Sequence, residues 1–338
     1  MQTELGRDRS GLALPLVLSA AMVALALLSL SVGPADIALW PAIVGLFDVE
    51  RPVTSLILAE LRVPRTVLGI TVGATLGLAG AALQGLLRNP LAEPGLIGVS
   101  ATAGLGAVIV FYFGLSATFA MALPIGGILG ALVAIALLYA LAGREAGTLT
   151  LILSGVAVSS FAAALTSLAL NLAPSPYAAL EIVQWLLGSL ADRSMDHVWL
   201  TLPLMIVGWV LLVASGRALD ALTLGEDAAR TMGFSLLNVQ LQVILGTALS
   251  VGAAVSVTGG IAFVGLVVPH LLRPWVGYEP RRLLLSSALG GAVLLLTADI
   301  LVRATSGPIE LKLGVVTALV GAPFFLYLIF RTRREQPL

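Results

Sequence analysis

The chain has 338 residues and a formal net charge of zero, and 59% of its residues are hydrophobic while 11% are charged. Soluble domains are about 45–50% apolar and about 25% charged, so this composition, with a mean hydropathy of +1.05, predicts a protein of the lipid bilayer. The balanced charge argues against a nucleic-acid partner. The absence of cysteine excludes disulfides and thiolate metal sites, and two histidines leave little for a histidine metal site. We therefore expect no metal and no cofactor in this chain.

Ten apolar runs follow one another along the chain, and most approach the roughly 20 residues that a helix needs to cross the hydrocarbon core. We therefore predict an all-α polytopic membrane protein, in which residues 1–338 form a single transmembrane domain of about ten helices. The first run is too long for the core of a signal peptide and is interpreted as a retained helix. The shortest is interpreted as a tilted short span or a re-entrant segment. The runs are 11–32, 66–87, 95–114, 118–141, 149–170, 197–215, 238–258, 261–276 (the shortest), 283–302 and 313–330.

The basic residues of the connections are unequally distributed between the two sides of the membrane. Cytoplasmic connections carry the excess of arginine and lysine. With the N-terminus inside, twelve of the 18 basic residues fall on the cytoplasmic side and six fall outside. The sequence therefore predicts that both termini are cytoplasmic. The inner set is Arg7, Arg9, Arg88, Arg144, Arg217, Arg230, Arg273, Arg281, Arg282, Arg331, Arg333 and Arg334, and the outer set is Arg51, Arg62, Arg65, Arg193, Arg303 and Lys312.

Three connections are long enough to hold structure of their own: the external segments 33–65 and 171–196, and the internal segment 216–237. In the internal segment, the stretch from Leu224 to Gly233 is predicted to form a short helix with a glycine stop. Acidic residues near its start and a basic residue near its end suit the helix dipole. Such a helix either docks in a groove of a partner protein or is an ordinary solvated loop helix.

Two apolar regions are interrupted by residues that break helices. Irregular backbone near membrane depth is tolerated only where protein or a water-filled cavity covers it. Each interruption is therefore interpreted either as a surface turn or as a helix break beside a translocation path. The two lie about 170 residues and five spans apart, which suggests a weak inverted internal repeat. The first contains Asn89, Pro90, Pro94 and Gly95, and the second contains Gly259, with Pro269 in the run that follows.

Small residues recur every four positions in two of the runs. This spacing places them on one face of a helix, where they allow neighbouring backbones to approach closely. We expect both runs to pack tightly against another helix through these faces. The two series are Gly69, Gly73 and Gly77, and Gly126, Gly130 and Ala134.

Motifs for enzymatic chemistry are missing from the sequence. The single lysine, Lys312, is followed by Leu313, so there is no phosphate-binding P-loop and ATP hydrolysis would require another chain. The zinc-protease and serine-hydrolase motifs are absent as well. An ion-coupled secondary transporter would need acidic groups inside its spans, where only Asp299 qualifies. That class and a membrane enzyme are the weaker alternatives.

Three arginines are expected on the external side, where basic residues are less common. Arg62 and Arg65 precede the second span, and Arg303 ends the ninth. Arg303 follows Asp299 by four residues, so the two side chains can pair on one helix face. We expect such contacts to be exposed and to contribute only about 0–1 kcal/mol each. The arginines either extend to the membrane interface or offer positive charge to an acidic protein outside.

Several strings, in order over nearly the whole chain, carry a family resemblance. The chain resembles the permeases of type II ATP-binding-cassette importers, the FecCD and BtuC-like permeases, which take up ferric siderophores, haem and vitamin B12 in bacteria. One departure is Glu310-Leu311-Lys312, where the family usually has Glu-Leu-Pro. The matching strings are Leu61–Arg65, Gly73–Gln84, Arg88–Ser100, Phe263–His270 with Arg273, Ala298–Arg303 and Gly314–Phe325.

The resemblance implies a ten-helix fold in the bacterial inner membrane and a pathway between two permease chains, which we expect to be identical. It implies two ATPase subunits that bind ATP and Mg, and a binding protein that delivers an iron chelate, with cobalamin as the alternative substrate. By the same resemblance, Arg62, Arg65 and Arg303 would dock the binding protein. The residues that would couple to the ATPase are Leu224, Gly225, Glu226, Ala228, Ala229, Arg230 and Gly233.

Overall fold

The computed structural model describes residues 2–48, 52–119, 121–143, 147–305 and 311–335. Arg51, Arg144 and Glu310, which entered the predictions above, lie outside these ranges. Every regular element within them is helical, which confirms the all-α class. The α-helices are α1 (Gln2–Ser31), α2 (Leu39–Val44), α3 (Val53–Ile57), α4 (Val63–Leu86), α5 (Val99–Tyr112), α6 (Ala122–Ala142), α7 (Thr148–Asn171), α8 (Pro176–Leu186), α9 (Met195–Ala214), α10 (Gly216–Leu222), α11 (Glu226–Thr231), α12 (Leu236–Thr258), α13 (Val264–Leu272), α14 (Pro280–Thr305) and α15 (Leu313–Glu335).

Each of the ten apolar runs forms a helix. In the described part of the chain, seven helices are long and apolar enough to cross a membrane: α1, α4, α6, α7, α9, α12 and α14. The apolar stretches of α5, α13 and α15 are shorter. Two of these, α5 and α13, directly follow the predicted helix breaks, which explains their length. The run 261–276, interpreted above as a tilted short span or a re-entrant segment, therefore contains a short helix that begins after a break.

The centre of the bundle is formed by α4 and α12, whose side chains are buried on nearly every face. A helix that is apolar all round is typical of such a position. Helix α4 packs against α9, α12, α13 and α14, and α12 packs against α4, α5, α6 and α9. The inverted repeat stays a prediction. Helices α5 and α13 are each preceded by a residue with positive φ, Gly98 at 82° and Phe263 at 68°.

The glycine series form close helix crossings, as predicted. A Cβ at Gly73 would lie 2.8 Å from the Cα of Ala292, and one at Gly77 would lie 2.8 Å from the carbonyl carbon of Ser287. No side chain fits at these distances, so the contact between α4 and α14 depends on glycine. Gly126 and Gly130 bring α6 equally close to α5.

The three long connections hold structure of their own, as expected. In the connection 33–65, α3 continues through a π-helical turn (Leu58–Arg62) into α4. Residues 53–62 contain no glycine or proline to stop the helix. The connection 171–196 contains α8, and the connection 216–237 contains α10 and α11.

Candidate functional site

The first candidate site lies at the end of α1, where Arg62 is almost fully buried at 5% exposure. Its Nη1 donates to the carbonyls of Leu30, at 2.8 Å, and Ser31, at 2.7 Å. Its Nη2 donates to the carbonyl of Ala35. Because the last carbonyls of a helix have no donor within the helix, Arg62 supplies hydrogen bonds that α1 cannot supply itself.

Arg303, at 8% exposure, completes this cap from α14. Its Nη1 donates to the carbonyls of Ser29, at 2.8 Å, and Val32, at 2.7 Å, and its Nη2 donates to the hydroxyl of Ser29 at 2.6 Å. Helix α1 has no basic residue in its own last turn. Two arginines from other helices therefore provide the positive charge that a helix C-terminus favours.

Asp299 lies between two of the arginines. Arg65 donates through Nε to Oδ1 at 2.9 Å and places Nη2 2.8 Å from the same oxygen. Arg303 places Nη2 2.9 Å from Oδ2. The predicted pairing of Asp299 with Arg303 is confirmed, but the expectation that it is exposed is wrong, because Asp299 is 1% exposed. Removal of one partner from such a buried cluster is costly.

The three predicted arginines and Arg193 line one cavity of about 290 Å³. Arg193 was not selected from the sequence, although it is the one basic residue of the connection 171–196. Its Nε donates to the carbonyl of Val257. Burial lowers the pKa of Arg193, and Asp192 partly offsets that shift. A cavity with four guanidinium groups suits an acidic group, because arginine binds carboxylates through paired hydrogen bonds.

The second candidate site is α11, the predicted short internal helix. Glu226 and Asp227 lie in its first turn and Arg230 lies in its last turn, as the dipole argument predicted. The flanking Gly225 and Gly233 have φ of 104° and 88°, values that glycine adopts readily. The chain therefore enters and leaves this helix through glycines.

The two faces of α11 differ. Ala229 is fully buried and Ala228 is partly buried against the neighbouring helices. Leu224 and Met232, at the two ends of the helix, are 66% and 55% exposed. Large apolar side chains at the rim of a short surface helix are suited to a partner protein.

The first helix break is a packed structure rather than a simple surface turn. Asn89 accepts a hydrogen bond from the backbone N–H of Leu91 at 2.9 Å, and Pro90 is exposed. Pro94 is buried and, with Gly95, opens the 3₁₀ turn Pro94–Ile97 that precedes α5.

The second break follows α12, where Gly259 has a φ of 71°. A Cβ at Gly259 would lie 3.3 Å from the Cα of Gly188, which follows α8. Pro269 lies buried inside α13. The two breaks meet at Gly265, because a Cβ there would lie 3.0 Å from the Cδ of Pro94.

A polar cluster that sequence reasoning missed lies where the two breaks meet. Gln84 is 3% exposed, and its Nε2 donates to the carbonyls of Ala92, at 3.3 Å, and of Gly265 and Leu266, both at 3.4 Å. Its Oε1 accepts from Nη2 of Arg273. The only signal in the sequence was a glutamine within an otherwise apolar run.

Glu93 makes a second link across the same junction. Its carboxyl group lies near the backbone of Phe263, the residue just before α13. Burial raises the pKa of Glu93, and the Phe263 backbone partly offsets the shift. In the described part of the chain, no three His, Cys, Asp or Glu side chains are grouped so as to hold a metal ion.

The comparisons with known proteins give one consistent answer. Residues 21–331 match the model of the FecCD transport family. The chain is 37% identical to the Fe(3+) dicitrate transport system permease protein FecD of Escherichia coli, over 95% of this chain and 99% of that protein. It is 42% identical to the vitamin B12 import system permease protein BtuC of Vibrio cholerae, over 80% and 82% of the two chains.

A solved structure extends the likeness to three dimensions. It is described as an inward-facing conformation of a metal-chelate type ABC transporter, and it aligns with a TM-score of 0.83 at 29% sequence identity. The alignment covers 94% of this chain and 98% of the other.

Proposed function

Because the chain belongs to the FecCD transport family, we propose that it is a permease chain of an ATP-driven importer that moves an iron chelate across the bacterial inner membrane. The substrate is a ferric siderophore or haem, and both termini lie in the cytoplasm. The observation that carries the proposal is the match over nearly the whole chain, together with a full-length relative whose name assigns it to ferric citrate.

The importer contains two such permease chains, which we expect to be identical, together with two ATPase subunits and one substrate-binding protein. ATP and Mg bind to the ATPase subunits, since this chain has no P-loop. The exposed Leu224 and Met232, which flank α11, fit an apolar groove of an ATPase subunit, as in other complexes where an apolar helix face binds in a groove.

On the outside, the arginine cavity receives an acidic residue of the binding protein. Arg65 and Arg193 are only partly buried and are the side chains best placed to do so. Arg62 and Arg303 already hydrogen-bond to α1, so their first role is to hold the cavity wall. This division of roles refines the expectation that all three predicted arginines dock the binding protein.

Transport follows from thermodynamic linkage between binding-protein docking at the arginine cavity and nucleotide binding by the ATPase subunits at α11. A ligand shifts a conformational equilibrium only if its affinity differs between the two states. ATP favours the closed pair of ATPase subunits, and α11 carries that movement into the bundle. Binding-protein docking outside and nucleotide binding inside then act on one equilibrium, and the bulky chelate moves when the pathway opens and closes.

A corrinoid importer of the same family is the alternative, supported by the 42% identity to the vitamin B12 permease. An ion-coupled secondary transporter is less well supported. Its best candidate for an ion-binding acid, Asp299, is ion-paired with both Arg65 and Arg303, whereas ion coupling needs an acid that can exchange its ion.

The deciding experiment is to purify the tagged chain in mild detergent and to measure the stoichiometry of the proteins that accompany it. An ATPase at one copy per permease, and ATP-dependent uptake of ferric dicitrate or haemin after reconstitution, would support the proposal. Uptake of cyanocobalamin alone would favour the corrinoid alternative. A permease that is isolated alone and moves solute under an ion gradient would overturn the ATP-driven account.

A further inference from the structure

Arg88 lies at the end of α4 in a backbone conformation that usually belongs to glycine. Its φ is 48°. The N–H of Asn89 donates to the carbonyl of Gln84 at 3.2 Å, and that of Arg88 donates to the carbonyl of Gly85 at 3.4 Å. These bonds form a Schellman motif, whose left-handed residue is most often glycine because other residues are strained there. An arginine at this strained position therefore indicates that its side chain has a role beyond ending the helix.

The side chain of Arg88 reaches the short helix α11. Its Nη2 lies 2.9 Å from Oε1 of Glu226, a residue 138 positions later in the chain. The two side chains are 46% and 44% exposed. An ion pair this exposed adds little to stability, but it joins α11 directly to the end of α4.

One helical turn before Arg88 lies Gln84, which joins the two helix breaks. Its amide donates to Ala92 in the first break and to Gly265 and Leu266 at the start of α13. It also accepts from Arg273 just after α13. The end of α4 therefore carries a link to α11 on its surface and a link to both breaks in its interior.

From this arrangement we infer that Arg88 and Gln84 are positioning residues that transmit the movement of α11 to the two helix breaks. A displacement of α11 acts on Arg88 through Glu226. The last turn of α4 then moves, and Gln84 displaces the segment 92–94 and the start of α13 together. The inference rests on the proposed function, since it assumes that an ATPase moves α11.

The test is Arg88→Gly in the full importer, reconstituted with its ATPase subunits and binding protein. The substitution removes the guanidinium and relieves the backbone strain, so thermal stability should not fall. Uptake is measured with ferric dicitrate, haemin and cyanocobalamin, and ATP hydrolysis is measured in the same vesicles. We expect uptake per ATP hydrolysed to fall about fivefold or more, while ATP hydrolysis stays within about twofold of wild type.

Glu226→Gln removes the other partner of the Arg88–Glu226 ion pair and should lower uptake per ATP hydrolysed by the same factor. The exchange of the two charges, Arg88→Glu with Glu226→Arg, should restore uptake per ATP. Glu279→Gln is the matched control, because the exposed ion pair of Glu279 with Arg282 lies between neighbouring residues and joins no separate elements. Unchanged uptake per ATP in both single variants, or a charge exchange that restores nothing, would overturn the role of Arg88.

The interior link is tested with Gln84→Glu, which keeps the acceptor for Arg273 and removes the amide donor. It should also lower uptake per ATP, and full coupling in this variant would overturn the role of Gln84. The wild-type importer separates this inference from the proposed function. If wild type neither hydrolyses ATP nor takes up any of the three probes, the proposed function itself fails.

Discussion

Arg303 of α14 holds Ser29 of α1 by both its carbonyl and its hydroxyl, at 2.8 Å and 2.6 Å, across 274 positions of sequence. Very little of α1 is buried within the chain. The C-terminal end of α1 is held to the bundle by hydrogen bonds from Arg303 and Arg62 as well as by packing on α14, and the loss of these hydrogen bonds can be measured.

Arg303→Gln should destabilise the protein strongly. It leaves Ser29 and Val32 without their donors and removes one of the two partners of Asp299, and loss of a buried ionic partner costs about 3–5 kcal/mol. Thermal unfolding in detergent measures the effect. Arg282→Gln removes an arginine from an exposed ion pair and serves as the control. Equal midpoints for the two variants would contradict the anchoring role.

Arg65→Gln and Arg62→Gln should separate docking from anchoring. Arg65 is partly exposed in the cavity, so its loss should weaken binding-protein affinity by about 1–3 kcal/mol for a charge-assisted contact. Because Arg65 is also a partner of the buried Asp299, its loss should lower the unfolding midpoint as well, and the change in affinity is what distinguishes it from Arg62→Gln. Arg62 is buried on α1, so its loss should mainly lower the unfolding midpoint. Affinity is measured by titration of the binding protein onto the reconstituted permease. Normal docking of Arg65→Gln would remove that arginine from the interface.

Ala229→Trp should uncouple ATP hydrolysis from uptake. Ala229 lies on the buried face of α11 and is fully buried. An indole there cannot fit without moving α11 away from α10 and α12. ATP hydrolysis by the partner subunits should persist while uptake is lost. Uptake at the wild-type rate would exclude α11 from the coupling route. Asp227→Asn, at an exposed position of the same helix, should transport normally.

Gly77→Ala should separate α4 from α14. The new Cβ would lie 2.8 Å from the carbonyl carbon of Ser287, and overpacking of this kind costs about 1–3 kcal/mol. Gly85→Ala in the same helix is the matched control, because its Cβ would lie 3.4 Å from the nearest atoms, which belong to the flexible Leu219 side chain. A lower unfolding midpoint only for Gly77→Ala is expected. Equal midpoints would show that the crossing tolerates a methyl group.

Glu93→Gln should remove a pH dependence. Burial raises the pKa of Glu93 above its usual value of 4.5, so the folded state keeps this proton to higher pH than the unfolded state does. The stability of wild type therefore declines as pH rises from 4.5 through the folded pKa, and the glutamine variant lacks this decline.

Unfolding midpoints of both proteins between about pH 4 and about pH 8 measure the difference. The variant should match wild type at the acidic end and exceed it increasingly as pH rises. The exposed Glu181→Gln is the control and should follow wild type throughout. A difference between Glu93→Gln and wild type that does not change with pH would contradict this account.

Sequence patterns were sufficient wherever neighbouring residues determine the structure. The length and hydropathy of the apolar runs predicted ten helices, because a helix in lipid satisfies its own backbone hydrogen bonds. The spacing of Gly73 and Gly77 predicted a tight crossing, and the charges of Glu226 and Arg230 predicted α11. The four-residue separation of Asp299 and Arg303 likewise predicted their pairing.

Only the tertiary structure decided what those residues contact. Arg62 ends the π-helical turn before α4 and Arg303 belongs to α14, yet their acceptors lie at the end of α1 and just after it, and no local pattern records a partner 274 positions away. Arg193 joins the same cavity from a third element. The junction at Gln84 exists because two helix breaks far apart in sequence fold against each other. Local chemistry thus determined the elements, whereas burial, charge pairing and the meeting of the breaks depend on how the helices pack.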